Sequence, residues 1–118
     1  MSLFHPDPNE KHILTVNASW FQNKMMMFRG EFHITDRRVV YEKYPNPEAN
    51  GLLLKLVKSY RARIVADIPV KDIRRVYLQK FGLGKKMIIE YGDQSIAFLH
   101  ENNGLLSVLP NVEDEEIS

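Results

Sequence analysis

Short runs in which apolar and polar side chains alternate recur along this chain, and residues that favour turns close each run. In Leu14-Thr15-Val16-Asn17-Ala18-Ser19-Trp20 the even positions are apolar, as in a strand with one buried face. Met26–Ile34 repeats the pattern: its even positions point inward, and Arg29, Glu31 and His33 point to water. Gln22-Asn23-Lys24 forms the hairpin connection between the two runs. Thr35-Asp36-Arg37 makes a turn, because Thr and Asp side chains bond to their own local backbone, and Arg38–Tyr44 follows as a third strand. The Pro- and Asn-rich stretch 44–51 breaks the pattern as a loop. Arg63–Val70 is a strand ended by Pro69 and a turn at Lys71-Asp72-Ile73. Arg74–Phe81 and Lys86–Tyr91 are joined by Gly82-Leu83-Gly84-Lys85, and Gly92-Asp93 leads tightly into Gln94–His100. About seven strands at this spacing define a mainly β protein, a small barrel or sandwich. The long alternating helices of a βαβ protein are missing.

Two regions depart from alternation. Leu53, Leu56, Val57, Tyr60 and Ile64 recur at helical spacing. Leu52, Leu54, Leu56, Tyr60, Ala62 and Ile64 also fit alternation, broken at Lys58. Both readings stay open, and the favoured one is a short helix within residues 48–62 that runs into a strand near Arg63. Leu105-Leu106-Ser107-Val108-Leu109 reads as a short C-terminal helix, stopped by Pro110.

With 118 residues the chain has room for one core, expected over residues 1–112, and the acidic residues 113–118 read as a frayed tail. It contains no cysteine, which excludes a disulfide framework, a thiolate metal site and a cysteine nucleophile. No apolar run approaches the ~20 residues that span a bilayer, and the start of the sequence lacks a signal-peptide layout, so a cytoplasmic address is expected. The net charge of +1 hides a segregation. Residues 51–86 hold ten basic side chains against Asp67 and Asp72, whereas residues 87–118 hold seven acids and no Lys or Arg.

Reactive chemistry finds little support. His5, His12, His33 and His100 are not paired at ligand spacing, so no metal or cofactor is expected. Ser19, Ser59, Ser95 and Ser107 stand in no nucleophile pattern. Glu31 and Glu42 face each other across strands and read as solvated groups near arginines. Gly82–Lys86 is a hairpin turn rather than a phosphate loop, because it lacks the length and the Ser/Thr that such a loop needs. Thr35-Asp36-Arg37-Arg38 reads as a turn with exposed arginine flanks rather than an anion clamp.

The order of three segments resembles the bacterial pleckstrin-homology-like and GRAM-like domains. They are Gly30–Tyr41 with its Thr-Asp-x-Arg turn, Ile68-Pro69-Val70-Lys71-Asp72-Ile73-Arg74-Arg75-Val76, and the closing hairpin Lys86–Phe98. With the Trp20 strand the likeness spans residues 10–109. It implies a pleckstrin-homology-like small barrel of about seven antiparallel strands, capped by a C-terminal helix, which Pro110 keeps short here.

The remaining signal lies in apolar side chains beyond what loops need. Leu52, Leu53, Leu56, Val57 and Tyr60 read as core, as a partner-binding or self-association surface, or as a membrane contact. For an anionic lipid surface the basic set is Lys55, Lys58, Arg61, Arg63, Lys85 and Lys86. Met25-Met26-Met27 is a second contact candidate, with Met26 inward. The expected function is therefore a non-catalytic binding module acting through protein contacts, self-association included. The alternative is peripheral binding to anionic lipid or phosphoinositides at the inner membrane face. Weak nucleic-acid binding ranks third, since the aromatics form no RNA-binding motif.

Overall fold

The computed structural model describes residues 3–45, 62–101 and 103–113. Seven antiparallel strands form one sheet: β1 (His12–Phe21), β2 (Met27–Thr35), β3 (Arg38–Lys43), β4 (Arg63–Pro69), β5 (Ile73–Phe81), β6 (Gly84–Tyr91) and β7 (Gln94–Leu99). The order is β4-β3-β2-β1-β7-β6-β5. All seven expected strands are present within a residue or two of their expected bounds. The expected barrel is, in hydrogen bonding, an open sheet that ends at β4 and β5. A single 3-10 turn, Val70–Asp72, connects those two edges. The expected C-terminal helix is a 3-10 turn of three residues, Leu105–Ser107. The expected helix within residues 48–62 falls, but for Ala62, outside the described residues.

The sheet is two half-sheets joined at a narrow seam. β1 meets β7 through only two residue pairs, Trp20 with Phe98 and Phe21 with Ala97. The half-sheets turn their apolar faces toward one another, so Phe32 and Tyr41 from one side reach Phe98 from the other at 4.4 and 4.8 Å between ring centres. Leu105 and Leu109 join this core from the C-terminal segment, and Val112 forms a parallel bridge to Val76 on β5. Two-residue connections close both hairpins of the second half, with Gly82 and Gly92 at positive φ (58° and 57°). Such primed turns match the twist of the strands they join.

Gly30 is demanded by a close approach. Tyr41 lies across it and donates its hydroxyl to the Ala18 carbonyl at 2.8 Å. A Cβ on Gly30 would stand 2.2 Å from the Glu42 carbonyl oxygen and 2.6 Å from the Tyr41 hydroxyl. The facing pair Ala18–Gly30 is thus a trough in which the phenol rests, and burial raises the Tyr41 pKa well above its ordinary value.

The opposite face of β2–β3–β4 corrects three expectations. His33, expected in water, is buried, and so is Glu42; Arg38 is no exposed flank. Segment 3–11 covers them. Phe4 stacks on the His33 ring at 4.7 Å and 14°, and the Arg38 guanidinium lies 5.0 Å over Phe4. Arg38 donates to both Glu10 carboxylate oxygens (2.8 and 3.1 Å) and to Asp67 (2.8 Å). Thr35 builds the expected turn by accepting the Arg37 and Arg38 amides, each at 3.1 Å, and its hydroxyl donates to Glu10 at 2.6 Å. The hydrogen bond from Arg38, seconded by those from Thr35 and the Asp7 amide, holds the Glu10 carboxyl down from 4.5 to about 2.

Two outcomes follow from these contacts. Gly30→Ala should lower the unfolding free energy by about 2–3 kcal/mol, as overpacking does when backbone blocks the new atom, read from urea denaturation. The folded pKa of Glu10 lies below its unfolded value, so its stabilisation is complete above pH 4.5 and is lost as pH falls toward 2. Glu10→Gln should therefore be less stable at neutral pH and lose part of the wild-type slope in that acid window.

Candidate interaction surface

Exposed apolar side chains gather around two hairpin connections. Phe21 closes β1 and faces Met27 across the ladder, so the two side chains share a face. Phe21 also meets Phe81, the last residue of β5, edge-on at 5.1 Å. The Lys86 ammonium lies over both rings, 4.7 Å from Phe21 and 4.6 Å from Phe81. One cation thereby fastens the end of β1 to the β5–β6 hairpin. Beyond Phe81, Leu83 is wholly exposed at the hairpin tip, and beyond Met27, Met25 is 91% exposed. Asn23 shapes that connection, its side-chain oxygen accepting the Met25 and Met26 amides at 2.8 and 3.0 Å.

The surroundings are basic. Lys24 adjoins Met25, and Lys80, Lys85 and Lys86 flank Phe81 and Leu83, while residues 20–28 and 80–86 contain no acid. Large exposed apolar side chains rimmed by polar residues are a common feature of contact surfaces.

The sequence expectations meet this surface in part. Leu52, Leu53, Leu56, Val57 and Tyr60, with Lys55, Lys58 and Arg61, lie outside the described residues. Arg63 stands 5.6 Å over the Trp20 ring, on the core side of β1, whereas Lys86 sits over Phe21 on the other side. Adjacent strand residues point to opposite faces, so Arg63 does not join Lys86. Met25 and Met27 are exposed as expected. Met26, expected inward, is 45% exposed, because it precedes the strand instead of entering it. Phe21, Phe81 and Leu83 were missed as surface residues. The signal for Leu83 was available: an apolar side chain inside a Gly-Leu-Gly turn has no core to enter.

No protein-family model and no curated protein matches the chain.

Lys86→Met keeps the aliphatic stem and removes the charge over the two rings. It should lower stability by about 0.5–1 kcal/mol in denaturant titration. Leu83→Asp, at a site touching no core residue, should stay within roughly 0.5 kcal/mol of wild type.

Proposed function

We propose that this chain is a non-catalytic binding module of the pleckstrin-homology-like type, working through protein contacts that include contact with a second copy of itself. The observation that carries this reading is the joined surface of Phe21, Met27, Phe81 and Leu83, with Met25 beside it. Methionine and leucine in open turns suit an adaptable partner. Charge adds direction. The surface is lysine-rich, and the same chain carries seven acids and no basic residue over positions 87–118. On this reading the acids of one copy would draw the lysine-rich surface of another. The likeness in turn order supports the family reading: the Thr35 turn, the Ile68-Pro69 step and the Gly92-Asp93 connection all fall at strand junctions. On this reading the module works in the cytoplasm.

Sedimentation of the full chain over a wide concentration range tests the proposal. Wild type should associate, and Leu83→Asp together with Phe81→Ser should shift it to monomer. A wild-type chain that stays monomeric at high concentration would remove self-association from the reading.

The fully exposed Leu83 between lysines favours one second reading, an anionic bilayer. Four lysines at about 1 kcal/mol each give only millimolar-class attraction, so insertion of Leu83 would have to supply the rest. Vesicles of pure phosphatidylcholine and vesicles with added phosphatidylglycerol separate the two. Salt-sensitive pelleting with the anionic set alone, lost in Leu83→Asp, belongs to the bilayer reading. Equal behaviour with both sets excludes its electrostatic basis.

A further inference from the structure

Glu31 and Glu42 stand directly opposite each other on β2 and β3. Like charges in such a pair repel, and burial of Glu42 sharpens the cost. An imidazole stands between the two carboxylates. His33 Nε2 lies 3.0 Å from Glu42 Oε1 and 3.2 Å from Glu31 Oε1. A single N–H cannot point along both directions, so a proton serves two converging carboxylates poorly. A divalent cation serves both.

We infer that Glu31, His33 and Glu42 form a binding site for a first-row divalent transition-metal ion of the Zn2+ class. One donor atom from each residue falls in a cluster no wider than 4.8 Å. Metal–ligand bonds of about 2.0–2.1 Å set neighbouring donors roughly 3 Å apart, which is the separation seen from Nε2 to each carboxylate. The mixed imidazole and carboxylate set selects for zinc, cobalt or iron over magnesium and calcium, which prefer all-oxygen shells. The outer contacts hold the donors in this orientation. Tyr44 donates to Glu31 Oε2 at 2.9 Å, the Leu3 amide donates to Glu42 Oε2 at 2.7 Å, and Thr15 Oγ1 faces His33 Nδ1 at 3.5 Å. Phe4 fixes the ring plane by stacking. Carboxylates and imidazoles that ligate metals are braced in this manner. With an ion bound, Nε2 is bare and the ring's N–H stands at Nδ1, toward Thr15. Three protein donors leave further coordination positions to water.

Chelator-stripped full-length chain titrated with Co2+ tests the site through the visible d–d absorption of a protein-bound ion, with Zn2+ added as competitor. Wild type should develop the bands with one equivalent, lose them to Zn2+ and keep them in excess Mg2+. Glu31→Gln and His33→Gln should each weaken the affinity by more than about tenfold, with unchanged far-ultraviolet circular dichroism. Glu31 is the more exposed ligand, so its variant carries the test if His33→Gln unfolds. Absence of bands in wild type overturns the inference. So does binding that Glu31→Gln leaves intact, or binding lost only in the double variant His12→Gln, His100→Gln.

Discussion

Among the described residues, two residue pairs, Trp20 with Phe98 and Phe21 with Ala97, are the ladder that joins the two halves of this sheet. A seam so short cannot hold seven strands by backbone bonds alone, since each contributes only about 1 kcal/mol net. The halves are held instead by what the seam residues present to either side. On the inner side Phe98 packs against Phe32 and Tyr41, and on the outer side Phe21 packs against Phe81. The inner core and the hairpin surface both depend on this arrangement. The trough at Ala18–Gly30 admits the Tyr41 ring, which touches Phe98. The hairpin surface exists because the end of β1 is brought to the end of β5.

The strands were legible because period-two alternation is written locally, and turn residues mark where it stops. The covering of the outer face was not. Alternation says that Glu31 and His33 share a side of β2; it does not say what lies over that side. Segment 3–11 supplies the cover with Phe4 and Glu10, residues 29 and 28 positions from His33 and Arg38, and no local pattern announces contacts at that range. The facing of Glu31 and Glu42 could be counted from the Thr35–Arg38 turn. What escaped was the burial of Glu42, which turns an ordinary surface pair into a demand for positive charge.

The candidate surface was half legible. Three successive methionines beside a hairpin are visible in any reading, and Met25 and Met27 are exposed. Phe21 and Phe81 were hidden among strand residues, because meeting across the seam is a property of the fold rather than of either strand. Lys86 was counted for its charge alone. Its ammonium is committed to two aromatic rings, and that makes it a fastening as much as a basic site. Arg63, grouped with it by composition, belongs to the other side of β1.

Segment 3–11 turns the first half-sheet into a laminate of three plies: the aromatic core, the sheet itself, and a strip laid over its back. The strip has no regular structure, yet Arg38 grips it at both the Glu10 carboxylate and the His5 carbonyl. Trimming the chain back to Lys11 would peel the strip away, leaving Arg38 with Asp67 as its remaining carboxylate and His33 without its stacked ring. A shortened version would thus gain a bare, charged and partly greasy flank, and its behaviour in solution would report on that wound rather than on the native surface.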